Sequence, residues 1–199
     1  TGQDAHTGAT PMHMRKNALL GAARLIERVD AIAHAHGPLA AGTVGLLEVK
    51  PNSRNVVPGE VFFCIDLRHP EAGVLDAMEE ALVTSLTEIC DPLGLGVTME
   101  RIADVAPVRF DAECIEAVRA GAAANNFTAR DIISGAGHDA AYVARVAPAA
   151  MVFVPCRGGI SHNEAEFSSK EQCAAGAQVL LQAVLDYDRR LAERNGAAR

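Results

Sequence analysis

The chain has 199 residues, of which 49% are apolar and 22% charged, an ordinary globular composition with ample length to bury a core. A net charge of -7 without any basic cluster argues against nucleic-acid or anionic-membrane partners. No apolar run approaches the roughly 18 residues of a membrane span, and the N-terminus lacks a basic-then-apolar signal pattern. Five cysteines (Cys64, Cys90, Cys114, Cys156, Cys173) are scattered without a Cys-x-x-Cys pair. That favours reduced, mostly buried thiols in a cytosolic protein over a disulfide frame or a thiolate zinc site.

Thr1-Gly2 reads as the end of a strand, so a fragment of a longer protein is expected. Gln3 to Pro11 is a polar turn into a helix, with Thr10 as N-cap and Pro11 at the first helical position. Leu19, Ala22, Ala23, Ile26, Val29 and Ala33 recur at helical spacing, and Gly37-Pro38 stops the helix. Val44, Leu46 and Val49 lie in a strand, followed by the turn Pro51-Asn52-Ser53-Arg54-Asn55. After Pro58-Gly59 a second strand turns Val61, Phe63, Ile65 and Leu67 one way, and Phe62, Cys64, Asp66 and Arg68 the other. These two strands are expected to pair antiparallel. A second helix carries Val74, Ala77, Met78, Ala81, Leu82, Leu86 and Ile89 on one stripe and closes at Asp91-Pro92. Leu95, Val97 and Met99 make a third strand. With a truncated strand ahead of His6, the order is βαββαβ, the ferredoxin-like plan, over residues 1–106.

The pattern changes after Pro107. A helix near 112–125 precedes a short strand at Asp131-Ile132-Ile133 and the turn Ser134-Gly135-Ala136-Gly137-His138-Asp139. A helix over about 140–146 leads to an apolar strand at 149–154. The last helix starts near Ser169, with Cys173, Ala177, Leu180, Leu181, Val184 and Leu185 on its inner face. Residues 107–199 thus read as half of an α/β sandwich. So short a sheet leaves an edge and an apolar face uncovered, and the missing half is expected upstream of Thr1.

Between that last strand and helix lies Arg157-Gly158-Gly159-Ile160-Ser161-His162-Asn163-Glu164-Ala165-Glu166. A strand that ends in glycines and then presents polar side chains has the anatomy of a site. His162 is its strongest candidate, because a neutral imidazole suits a divalent metal such as zinc or manganese. A surface or capping histidine is the competing reading.

Five motifs, in order, carry a resemblance over nearly the whole chain. They are His6-Thr7-Gly8-Ala9-Thr10-Pro11-Met12, Pro51 to Gly59, Asp66-Leu67-Arg68, Gly135-Ala136-Gly137-His138-Asp139-Ala140 and Gly159-Ile160-Ser161-His162-Asn163. Together they resemble the M20-type metal-dependent amidohydrolases, in the hydantoinase/carbamoylase branch. That branch includes N-carbamoyl-L-amino acid hydrolases, allantoate amidohydrolases and β-ureidopropionases. The resemblance implies a catalytic domain holding two divalent ions (zinc, manganese, cobalt or nickel), interrupted by a ferredoxin-like lid that also forms a homodimer. Residues 1–106 would be the lid, and residues 107–199 the C-terminal portion of the α/β catalytic domain. Only the last metal ligand, matching His162, would lie in this chain, which alone is then expected to be inactive.

The resemblance assigns further roles. His6 would reach across the dimer to the tetrahedral oxygen of an attacked ureido or amide carbonyl. A turn histidine bonded to its own backbone is the alternative. Arg68 would grip the substrate carboxylate from the partner subunit, as a planar guanidinium does and a lysine does not. The alternative is a strand-end ion pair with Asp66. Asn55 would offer an amide to the same substrate. Gly137 and His138 would contact substrate, with a helix-start role for His138 as competitor. Asp139 is expected to cap the following helix. Cys156 is read as a buried thiol. His13, His34, His36 and His69 receive no role. An aminoacylase or dipeptidase of the same superfamily, or an inactive dimerisation module, are the rival readings.

Overall fold

A computed structural model describes residues 1–197, and the chain divides at Pro107/Val108 into two compact units. In the first unit the strands are β1 (Ala5–His6), β2 (Ala41–Lys50), β3 (Val56–Val57) and β4 (Glu60–Arg68). Its helices are α1 (Ala18–Ala35) and α2 (Ala72–Cys90).

Helix α1 starts well after Thr10-Pro11. Those residues open only a 3-10 turn, Met12–Met14, and Arg15 then returns to extended backbone at φ -80°, ψ 133°. That break moves the cap to Asn17, whose side chain accepts the Leu20 N–H at 3.2 Å. Ala22, Val29 and Ala33 are buried as the periodicity expects, joined by Leu25 and Ile32, while Ala23 faces solvent.

Strands β2 and β4 pair antiparallel from Ala41 opposite Arg68 to Lys50 opposite Glu60, with one irregularity between Val44 and Leu46. The side-chain alternation then places Phe63, Ile65 and Leu67 beneath the helices. Met78 is fully buried and Val29 is 1% exposed. Each such apolar side chain contributes about 1.5–3 kcal/mol of burial free energy. Phe62, on the other face, stays 55% exposed.

The third strand expected at Leu95, Val97 and Met99 does not form among the described residues. Gly96 and Thr1 exchange backbone hydrogen bonds at 2.8 and 2.6 Å, and a single reciprocal pair makes no ladder. A separate two-residue ladder joins β1 to β3, Ala5 opposite Val57 and His6 opposite Val56.

The second unit holds α3 (Ala112–Ala124), α4 (Ala140–Val143) and α5 (Lys170–Ala197). Asp111 caps α3 by accepting the Cys114 N–H at 2.9 Å. A capping box starts α5: Ser169 Oγ accepts the Gln172 N–H at 3.2 Å, and Gln172 Oε1 accepts the Ser169 N–H at 2.8 Å. Helix α4 ends at Val143, short of the expected 146. Neither the strand at 131–133 nor that at 149–154 forms among the described residues. Ile133 is 60% and Phe153 48% exposed, without the neighbouring ladder that a strand requires.

The buried face of α5 also differs from expectation. Val179, Ala183 and Asp186 are buried, whereas Leu180, Leu181, Val184 and Leu185 are each more than half exposed. Helix α3 packs on the small-residue stripe because Ala117, Gly121 and Ala122 admit close approach there. Asp186 is held by Arg189 at 2.5 Å, and Arg190 lies 2.6 Å from Oδ2 without hydrogen-bond geometry.

Candidate functional site

The β1–β3 ladder sets two of the expected site residues side by side. His6 ends β1, and the next amide, Thr7 N–H, donates to the Asn55 carbonyl at 3.0 Å. The Asn55 side chain is itself oriented: its Oδ1 accepts Ser53 Oγ at 2.9 Å.

The turn after His6 folds back onto the ring. Nδ1 accepts the Gly8 N–H at 3.0 Å and the Ala9 N–H at 3.1 Å. A nitrogen that accepts two donors carries no proton, so the neutral ring bears its hydrogen on Nε2. His6 is exposed, and Nε2 is left as its donor. The turn itself is held by Arg15, whose Nη2 donates to Thr7 O at 2.5 Å and Nε to Thr10 O at 2.9 Å. No spacing or periodicity in the sequence singles out Arg15, since its partners are backbone carbonyls.

Arg68 is not brought to His6 and Asn55 within the unit. It ends β4, eight residues beyond Glu60 at the strand's start, so roughly 26 Å of extended backbone separates the two ends. Its guanidinium is engaged by Asp66, with Nη2 to Oδ2 at 2.7 Å and Nε to Oδ1 at 3.0 Å. That hydrogen-bonded pair holds the Asp66 carboxyl below its ordinary range and raises Arg68.

In the second unit, His138 Nδ1 accepts the Ala140 N–H at 2.9 Å. His138 thus supplies the start of α4, and Asp139, expected as the cap, makes no side-chain capping bond. Geometry decides between them: Asp139 is already helical at φ -58°, ψ -29°, not in the extended backbone from which an N-cap side chain reaches the first-turn amides. Again the neutral ring carries its proton on Nε2. Beside Gly137 the space where a Cβ would stand is open.

His162 occupies a built loop. Cys156 Sγ donates to Ile160 O at 2.9 Å, Arg157 N–H donates to Phe167 O at 2.8 Å, and the Arg157 guanidinium lies 4.3 Å over the Phe167 ring. Cys156 is therefore half-buried and bonded, not the buried thiol expected. Gly158 and Gly159 have φ of 64° and 67°, and His162 itself has φ 55°. A left-handed backbone in a non-glycine residue costs about 1–2 kcal/mol. The Glu166 carboxylate offsets it by accepting the His162 N–H at 3.0 Å. Asn163 closes the turn, with Oδ1 accepting the Ala165 N–H at 2.9 Å.

Among the described residues, no three of His, Cys, Asp or Glu are grouped so as to hold a metal ion. His162 offers one donor of the right kind, and the described residues do not complete a metal centre. All five cysteines are unpaired, and no helix is long and apolar enough to cross a membrane among the described residues.

Comparison with known proteins matches this arrangement to a family. The model of peptidase family M20/M25/M40 covers residues 8–186. An N-carbamoyl-L-amino-acid amidohydrolase of Rhizobium meliloti is 47% identical over 94% of this chain and 45% of its own length. An allantoate amidohydrolase of Bacillus subtilis is 34% identical over 90% of this chain and 43% of its own. The crystal structure of a hydantoinase/carbamoylase family amidase from Burkholderia vietnamiensis superposes with a TM-score of 0.90 at 51% identity, over 94% of this chain and 45% of that one. The chain spans about half the length of the curated relatives it matches. By sequence and by fold, the chain belongs to peptidase family M20/M25/M40.

Proposed function

We propose that the complete enzyme hydrolyses the carbamoyl or ureido C–N bond of an N-carbamoyl amino acid, a ureidopropionate or an allantoate-like substrate. The observation that carries this reading is the His6 ring. Its Nδ1 is occupied by two backbone donors, which leaves an Nε2–H to meet negative charge developing on a carbonyl oxygen. A donor aimed at that oxygen is worth about 3–4 kcal/mol in the transition state. Two relatives act on substrates of this class by name, an N-carbamoyl-L-amino-acid amidohydrolase and an allantoate amidohydrolase.

Asn55 presents its amide to the same substrate, and Arg68 holds the α-carboxylate. On this reading His6 reaches across the dimer to the substrate of the other copy, and Arg68 grips that substrate's carboxylate from the same partner subunit. A homodimer through a ferredoxin-like lid, residues 1–106, provides that arrangement. Residues 107–199 form the C-terminal portion of the catalytic domain, where Gly137 and His138 approach the substrate.

Enzymes of this family are metal-dependent. His162 contributes one ligand to a pair of divalent ions (zinc, manganese, cobalt or nickel) whose remaining donors lie outside the described residues, and the ions when bound supply an activated water. Unpaired thiols support a reducing, cytosolic setting.

The test is to assay the full-length enzyme on N-carbamoyl amino acids, allantoate and N-acetyl amino acids. Turnover of the first two classes supports the assignment. Exclusive turnover of acetyl compounds replaces it with an aminoacylase. One further reading, a chain active only as a dimerisation module, predicts no hydrolysis of any of these compounds.

A further inference from the structure

We infer that Arg15 is a positioning residue for His6. The inference rests on the reading of His6 as the donor to the carbonyl oxygen, and it adds the group that makes that donor rigid.

A histidine at the tip of an exposed turn ordinarily rotates about χ1 and χ2, and a mobile donor loses most of its value in a transition state. Here the ring is held by the Gly8 and Ala9 amides, which converge on Nδ1 at 3.0 and 3.1 Å. The path of residues 7–10 must therefore be kept tight. Two bonds on the backbone contribute: Thr10 N–H donates to His6 O at 3.1 Å, and Thr7 N–H to Asn55 O at 3.0 Å. Neither fixes the Thr7 and Thr10 carbonyls, and Arg15 does. Its Nη2 and Nε span the two ends of the turn, reaching Thr7 O at 2.5 Å and Thr10 O at 2.9 Å.

The charge is spent in an unusual way. Among the described residues Arg15 forms no ion pair with a carboxylate, and both of its side-chain hydrogen bonds go to this one turn. A planar fork with fixed donor spacing bridges two carbonyls at lower entropic cost than a flexible ammonium. Gly8 belongs to the same design. A Cβ there would stand 3.4 Å from His6 Cε1, so the turn lies against the ring itself.

Arg15 touches backbone only and sits on the extended residue that separates the Met12–Met14 turn from α1. It acts through His6. Its removal therefore reduces turnover with substrate binding unchanged, because the oxygen donor is used only once charge has developed.

The test uses full-length protein with Arg15→Ala, Arg15→Lys and His6→Gln. Nitrogen-15 long-range spectra read the protonation of the His6 ring nitrogens, and amide exchange reads Gly8 and Ala9, with Val29 and Met78 as core controls. In Arg15→Ala, Gly8 and Ala9 are expected to exchange about tenfold faster while the core amides hold. The Nδ1 signal loses its single acceptor position. Turnover falls about tenfold at unchanged KM, and Arg15→Lys recovers part of each effect. Unchanged exchange at Gly8 and Ala9 overturns the inference, as does a loss confined to KM. Core amides that exchange faster in Arg15→Ala reveal a folding defect, and Arg15→Lys then decides through the same ring spectra. If His6→Gln leaves turnover intact, the catalytic reading of His6 is lost, while spectra and exchange still judge what Arg15 holds.

Discussion

Asp66 and Arg68 meet edge to edge on the outer face of β4, with Nη2 to Oδ2 at 2.7 Å and Nε to Oδ1 at 3.0 Å. Residues two apart on a strand share a face, so the pairing follows from the sequence spacing. The pair is about half exposed, which makes it a weak source of stability and a better means of orienting the guanidinium. In the full-length enzyme, Arg68→Lys is expected to raise KM about tenfold or more with little change in kcat, because the two-pronged grip on a carboxylate is lost. Asp66→Asn keeps the cation but loosens its orientation, and is expected to raise KM less. Steady-state kinetics on an N-carbamoyl amino acid decide. A KM unaffected by Arg68→Lys reduces the pair to a strand-end ion pair.

The bond from His162 N–H to Glu166, at 3.0 Å, supports a backbone at φ 55°. Without the carboxylate that support is lost, and the imidazole is expected to move with its backbone. Glu166→Ala is expected to weaken zinc binding by the full-length protein about 10–100-fold, and Glu166→Gln much less, since its carbonyl still accepts the bond. Zinc titration by calorimetry checks this. Equal affinity in Glu166→Ala and the parent protein removes the role.

Elements whose packing partners lie within the described chain are legible in the sequence. Helix α2 buries Met78, Leu82, Leu86 and Ile89 as its stripe requires, and β4 alternates Phe63, Ile65 and Leu67 inward. The α5 stripe is a different matter. Leu180, Leu181, Val184 and Leu185 are periodic, yet periodicity marks an apolar face without naming what covers it, and α3 takes the neighbouring stripe of Val179 and Ala183. The strands at 131–133 and 149–154 carry apolar residues in the right numbers and lack ladder partners. His6, Asn55, Arg68, His138 and His162 were visible as motif residues. Asp66, which holds Arg68, was visible too, two residues before it on the strand; Arg15 and Glu166 were not, because they act on backbone atoms and those bonds leave no trace in residue periodicity.

Asp111 gives a pH dependence with a definite sign. Its carboxyl lies below the usual range, first because it accepts the Cys114 backbone N–H at the start of α3. A carboxyl lowered on folding stabilises fully above its unfolded value of about 4, and that contribution is lost as pH falls through the lower folded value. Asn is an equally good N-cap and does not titrate. Asp111→Asn is therefore expected to match the parent in denaturant midpoint at pH 7 and to lose less of it between pH 5 and 3. Parallel losses in both proteins sink the assignment.

Gly121 faces α5 where the two helices pack. A Cβ there would stand 2.9 Å from Val179 O and 3.4 Å from Ala183 N, so it meets backbone that cannot rotate away. Two effects compete in Gly121→Ala. Replacing an interior helical glycine gains about 1 kcal/mol of helix propensity. Overpacking against a neighbouring backbone costs about 1–3 kcal/mol, because the helices must separate and release contacts around the buried Ala117 and Ala122. The steric term wins, and Gly121→Val is expected to cost more than Gly121→Ala. Gly73→Ala is the matched control, since nothing lies within 4 Å of its would-be Cβ near the start of α2. Denaturant midpoints of the three variants separate propensity from packing: a Gly121→Ala protein as stable as Gly73→Ala means the helices do not depend on that contact.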